Sequence, residues 1–421
     1  MDILYSLIWV PILLLAVLKI KLFRMEGVKN ALITGSFLAK ISGAFLLQWL
    51  YTYYYPDRST ADIYRFFDDG ILLNNVSAES PLDYFMILFN LGGDGERFRL
   101  EYFEKMNSWI KPFESGFYND NHLMIKLNSL FSFFSSNIFE VHNLLFGTMA
   151  FIGTVLLIKA LTTNFKALGL AMAFITMLPT SILLVNGGLK ESVMSFGAGI
   201  FLYSIFRMKT LSHLPWLVLS ATCLISIKPY FLAASILALV AHFITKQINW
   251  NGWKSWLFWF MGAGCGIVVF HMIGIDLAES VADKRQEFIN HALDIQAGSR
   301  IELAPIMASW FDILIETPAA LMNTLFMPLP WQVSSVAEMM MVFENIVFLF
   351  ILIWSIYKYA ISDFEFEYLH LVLQICLPVV VLIGLISPVL GATMRYRAPF
   401  LMLLIIVMIP SLLPVFKTST K

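Results

Sequence analysis

The sequence predicts an all-α polytopic membrane protein with about eleven transmembrane helices, and three observations carry the prediction. Of 421 residues, 59% are hydrophobic and 14% charged, whereas a soluble domain is roughly half apolar and about a quarter charged. The apolar residues gather into runs near the ~20 residues that a helix needs to cross a bilayer. Lys and Arg collect on one side of those runs, as they do in cytoplasmic loops. A soluble enzyme has no way to bury this much Leu, Ile, Phe and Met. The formal net charge of −1 excludes a basic nucleic-acid binder, so no nucleic-acid partner is expected. Cys223, Cys265 and Cys376 each sit inside an apolar run, which leaves neither a disulfide framework nor a CxxC metal site.

Taken in order, the expected spans are roughly 3–20, 31–53, 139–161, 168–186, 191–206, 214–228, 230–245, 255–275, 340–357, 369–387 and 398–416. The first has Asp2 ahead of it and Lys19, Lys21, Arg24 and Lys29 behind it. A cleavable signal peptide carries the opposite charge order, so this is read as a retained helix with its N-terminus outside. That orientation puts thirteen cations on the inside ends: Lys19, Lys21, Arg24, Lys29, Lys159, Lys166, Arg207, Lys209, Lys246, Lys254, Lys358, Lys417 and Lys421. Only Glu26, Asp363, Glu365 and Glu367 accompany them as acids. The C-terminus then lies inside. The chain reads as a single polytopic membrane domain, 1–421, with two sizeable stretches, 56–138 and 276–335, on its outer face. The first is rich in aromatics, among them Tyr64, Phe66, Phe67, Trp109, Phe113, Phe117 and Tyr118, anchors that disordered segments lack. Within it, 81–91 and 123–135 read as amphipathic helices lying in the headgroup plane. In the second, Pro318, Pro328 and Pro330 with Trp331 read as a re-entrant or surface-lying segment near the interface. The glycines of GAGCG (262–266) are read as a close helix-packing site.

Functional signal comes from polar residues at unusual positions. Four cations oppose the orientation pattern: Lys190 in NGGLKES, Lys228 in SIKPY, and Arg395 and Arg397 in MRYRAP just ahead of the last span. They form either one shared phosphate site, for which Lys and Arg are both suited, or separate cations that snorkel or pair with nearby acids, such as Lys190 with Glu191. The segment ADIYRFFDDG holds Asp62, Asp68 and Asp69. In a helix Asp62 and Asp69 share a face with Phe66. A carboxylate at the membrane edge suits general-base work on a hydroxyl. Asp68 and Asp69 together suit a divalent cation, and a solvated turn with a capping aspartate is the alternative. His122, near Asp120 in YNDNH, is a further candidate base. Arg300 either reaches the anion site or pairs with Glu302 or Asp294. No HExxH, GxSxG or P-loop is present, and the seven histidines show no ligand spacing.

At these residues the chain resembles the GT-C superfamily of polytopic glycosyltransferases and the related membrane polymerases and ligases of surface polysaccharide. Asp62, with Asp69 and Asp68 as alternatives, matches the catalytic acid that follows an early span. Arg395, Tyr396, Arg397 and Pro399 match a basic motif before a late span, and LPTSILLVNGGLKES resembles segments of bacterial polysaccharide-pathway membrane proteins. Two spans precede the acidic loop, where one is usual. The resemblance implies a bacterial plasma-membrane (inner-membrane) enzyme of the cell envelope. Its donor would be a polyprenyl-phosphate-linked sugar in the outer leaflet, its acceptor a glycan, and its surroundings membrane lipids. Lys190, Lys228, Arg395 and Arg397 would hold the phosphate and Asp62 would take the acceptor proton. The resemblance implies no definite cofactor; the divalent cation expected at Asp68 and Asp69 rests on those carboxylates themselves. The competing expectations are a lipid-linked oligosaccharide flippase and a noncatalytic subunit of an envelope-assembly complex.

Overall fold

The computed structural model describes all residues except 1, 55–56, 92–94, 111–118, 163, 208–212, 362–367 and 414–421. Phe113, Phe117, Tyr118, Lys209, Asp363, Glu365, Glu367, Lys417 and Lys421, on which parts of the sequence reading rest, lie outside the described residues. The fold is all-α. Among the described residues seven helices are long and apolar enough to cross a membrane, and the chain is a multi-pass membrane protein. It divides into two compact units, residues 1–160 with 182–229 and residues 161–181 with 230–421.

The first unit opens with α1 (Asp2–Lys19) and α2 (Asn30–Tyr54). The acidic segment is helical, α3 (Asp62–Glu79), and is followed by the short helices α4 (Pro81–Leu88) and α5 (Glu96–Glu101). Ser80 and Pro81 start α4 in the expected way: the serine accepts the Asp83 N–H and proline occupies the first turn. Next come α6 (His122–Ser135) and α7 (Phe139–Leu161). The face of α6 that is buried is its small and polar one, with Asn128, Ser129, Ser132 and Ser135, while Phe133 and Phe134 stay exposed. Its partner is α3, where Gly70 allows Asn128 to approach, Asn74 donates to Ser129 O at 3.0 Å and a core of Ile63, Tyr64 and Phe67 forms against Phe139 and Leu189. Small residues let helices meet closely where lipid competes with apolar side chains for contact.

A continuous helix was expected over 168–186. The chain forms α8 (Phe165–Met177) and α9 (Pro179–Leu183) instead. Proline has no N–H to donate and pushes the residue before it out of helical geometry, and Leu178 is extended, with ψ 123°. Helix α8 belongs to the second unit, and the first unit resumes at residue 182 and continues with α10 (Lys190–Arg207) and α11 (Leu214–Ile227).

In the second unit the helices are α12 (Pro229–Gln247), α13 (Ser255–Met272), α14 (Leu277–Asp294), α15 (Trp310–Phe326), α16 (Val336–Ile361), α17 (Leu369–Ile386) and α18 (Leu390–Met408). Of the GAGCG glycines, only Gly262 packs closely, against Leu237, while Gly264 and Gly266 face open space. The last apolar helix starts at Leu390, not near 398, so Arg395 and Arg397 lie within it. The three-residue turn 387–389 is pinned from outside the helix pair: Ile301 N–H donates to Pro388 O and Leu390 N–H to Ser299 O.

Candidate functional site

The segment NGGLKES forms a turn held by several buried hydrogen bonds. After α9 the backbone must reverse to enter α10, and Gly187 does so at φ +53°, a conformation that a side chain disfavours. Two asparagines hold it. Asn186 donates to Lys40 O at 2.7 Å and to Ile182 O at 2.6 Å, and its Oδ1 accepts Gly187 N–H. Asn143 donates to Ala44 O and accepts Gly188 N–H at 3.0 Å. The Lys40 ammonium, inside α2 and 2% exposed, donates to Val185 O at 3.0 Å. Ser192 Oγ closes the turn on Gly187 O.

This turn delivers Lys190 and Glu191 as the first residues of α10. A cation at a helix N-terminus opposes the helix dipole, whereas an acid there is favoured. Lys190 is compensated by a carboxylate from a distant part of the chain: its Nζ lies 2.6 Å from Asp120 Oδ1, with the two side chains 10% and 15% exposed. Its ammonium also stands 5.3 Å from the Phe66 ring centroid. The sequence pairing of Lys190 with Glu191 overlooked Asp120, which no spacing rule connects to position 190.

Helix α3 lies against the same turn. A Cβ on Gly188 would be 3.5 Å from Ile63 Cβ. Asp62 therefore opens α3 beside the turn, one helical turn ahead of Phe66, and is half-buried. The structure gives the two other aspartates separate tasks. Asp68 forms a two-bond pair with Arg58, at 2.8 and 3.1 Å. Asp69 is fully buried and accepts the backbone N–H groups of Asn107 and Ser108 at 2.8 and 2.7 Å. Burial pushes its carboxyl up to about 6 against the opposing effect of those two bonds and of Arg65. Among the described residues no three His, Cys, Asp or Glu side chains gather as metal ligands.

The segment that Asp69 holds carries an aromatic stack. Trp109 lies between Phe103, at 4.5 Å, and the His122 ring, at 4.1 Å. His122 Nε2 is also 2.9 Å from Trp109 O, so this candidate base is built into the wall of the segment. Lys228 is half-buried at the C-terminal end of α11, where its N–H caps Leu224 O.

The two arginines of MRYRAP belong to the second unit. Arg395 is partly exposed, with its guanidinium 5.4 Å from the Tyr396 ring. Arg397 is 1% exposed and donates to Thr324 O, Met327 O and Asn345 Oδ1 at 2.8, 2.9 and 2.7 Å. Nearby, buried Glu344 accepts the N–H of Thr180 at 2.9 Å and the Thr180 hydroxyl. Arg300 is exposed and makes no ion pair among the described residues, so its expected partners Glu302 and Asp294 are not engaged. Lys40 and Glu344 were missed from the sequence, although each is a lone charge within an apolar run. Arg285 was missed too; it is buried in α14 between Leu385 O and Glu316.

Compared with known protein families, with curated proteins and with solved structures, the chain matches none.

Proposed function

We propose that this protein is a membrane glycosyltransferase or polysaccharide polymerase that uses a polyprenyl-phosphate-linked sugar donor at the outer face of a bacterial plasma membrane. The reading includes eleven spans with the N-terminus outside. The observation that carries it is the rigid Asn-Gly-Gly turn, which sets Lys190, paired with Asp120, beside the helix that Asp62 opens. A cation held at a helix that a half-buried carboxylate opens, in a stretch rich in aromatic residues, suits a phosphorylated, sugar-bearing lipid.

In the proposed reaction the acceptor hydroxyl attacks the anomeric carbon. Asp62 takes the hydroxyl proton as the new C–O bond forms, and the bond from that carbon to the phosphate oxygen breaks with its electron pair leaving on the phosphate. Lys190, helped by Lys228, stabilises that charge. A direct test is native mass spectrometry of the purified protein with undecaprenyl phosphate. The carrier should bind, and Lys190→Ala should weaken binding about tenfold or more. Equal binding by wild type and variant would remove the phosphate site.

A flippase is the second reading, and one observation favours it. Transporters build their sites on interrupted helices near mid-membrane. Here the break between α8 and α9 leads into a turn held by Lys40, the eleventh residue of α2. Translocation of a fluorescent lipid-linked sugar in liposomes, with no transfer to acceptor, would favour that reading.

A further inference from the structure

We propose that α15 is a re-entrant helix: it enters the membrane from the side of the 387–389 turn, ends inside the hydrocarbon, and seats its exposed apolar face against bilayer acyl chains. The argument starts in the sequence. From Thr317 to Ala337 there is no Asp, Glu, Lys or Arg, and the stretch is bounded by Glu316 and Glu338. Twenty-one uncharged residues suffice to descend partway and return.

The contacts fix the depth. Helix α17 has 18 residues, about 27 Å at 1.5 Å per residue, slightly short of a hydrocarbon core of about 30 Å and within the range of spanning helices. Both its ends therefore sit at the membrane edges and its middle lies inside. Along α15, Ile313 packs in one cluster with Leu385 and Ile386, at the end of α17. Ala320 touches Gly384, where only glycine lets the backbones meet. Thr324 Oγ1 then donates to Val380 O at 3.0 Å. Val380 is six residues before the end of α17, about 9 Å below it. A second helix gives a similar depth. Asn345 Nδ2 donates to Phe326 O at 2.8 Å and to Pro328 O at 3.3 Å, and Asn345 lies about 10 Å along α16 from Glu338.

A helix that ends in hydrocarbon strands its last carbonyls, because no water reaches them. Arg397 answers that need: it is buried, and it donates to Thr324 O and Met327 O, the carbonyls at the end of α15. Asn345 takes Phe326 O, and its own Oδ1 accepts from Arg397. A surface-lying helix would leave these groups to water.

The remaining face names the occupant. Phe311, Leu314, Ile315 and Met322 form one stripe, 54–70% exposed. It lies opposite Ile313, Ala320 and Thr324, the residues turned to α17. Apolar exposure at the depth of a spanning helix is satisfied by acyl chains.

The test uses the full-length chain in liposomes with exposed Cys265 replaced by Ser. Single spin labels are placed at Ile315, Met322, Ile353 as a lipid reference and Ala297 as an aqueous one. The Met322 label should be reached by oxygen in preference to a nickel chelate, as at Ile353, and the Ile315 label should report a shallower depth. Chelate access at Met322 matching Ala297 would make α15 surface-lying and overturn the proposal. Shielding of Met322 from both agents would mean that protein, such as a second copy, covers the stripe, and would overturn the lipid assignment.

Discussion

Among the three aspartates of α3, neighbours separate what spacing left equivalent. Asp62 opens the helix whose Phe66 faces Lys190, and Asp62→Asn is expected to lower sugar transfer by about 10² or more, the scale of a lost general base. Ala61, not Asp62, is the N-cap of α3, so the variant gives up only the favourable charge of the first turn, about 0.3–1 kcal/mol, and its thermal midpoint should move little. Full transfer activity would reassign the base. Asp69 calls for a different measurement. Its carboxyl sits near 6 when folded, above the usual 3.8, so the folded chain binds this proton more tightly than the unfolded chain does. Its contribution to stability is therefore largest below about pH 4 and declines as pH rises through 6. Thermal unfolding in detergent from pH 4 to 7 should show that decline, and Asp69→Asn should flatten it. The same variant sets an amide N–H₂ against one of the two backbone donors at Asn107 and Ser108, so cleavage by protease near 107–110 should speed up.

Two elements of this protein end among buried groups, and each is finished by a cation and an asparagine. Lys40 and Asn186 hold the chain after α9, and Arg397 and Asn345 hold the end of α15. Removing such a group costs more than a surface contact, because each stranded buried acceptor loses about 1–3 kcal/mol. Arg397→Ala frees two carbonyls and Asn345 Oδ1. Differential scanning fluorimetry should place its midpoint well below that of Arg395→Ala, whose guanidinium is partly exposed; equal midpoints would deny Arg397 its capping task. Gly384 makes an independent point about close approach. A Cβ there would overlap Ala320 O, so Gly384→Ala should lower the midpoint by several degrees. Gly264→Ala, which meets nothing within 4 Å, should leave it unchanged.

At the scale of the molecule, orientation is the property to measure. The balance of thirteen cations to four acids predicts that Asn119→Cys and Ala297→Cys, in a Cys265→Ser background, react with a membrane-impermeant maleimide from outside intact cells. Lys166→Cys should react only after permeabilisation. Labelling of Lys166→Cys in intact cells would invert the map, and with it the side on which the donor is met.

The membrane class, the helical content and the presence of a helix at each apolar run were legible in the sequence, because hydrophobic length and the charges between runs are local properties. So was the break at Pro179 in principle, since proline acts on its own neighbours, although the run 168–186 hid it. The candidate site was legible only in part. Asp62 and Lys190 stand out as charges beside apolar runs, but Asp120 acquires its meaning from a contact across seventy residues. Asp68 and Asp69 differ only in which groups the fold brings to them. Arg397 resembled a phosphate ligand from its place near a span, and its bonds to the end of α15 depend on how four helices pack. Hydropathy reports how much surface must leave water. Which buried polar group satisfies which is settled by geometry between distant segments, and only the tertiary structure holds that information.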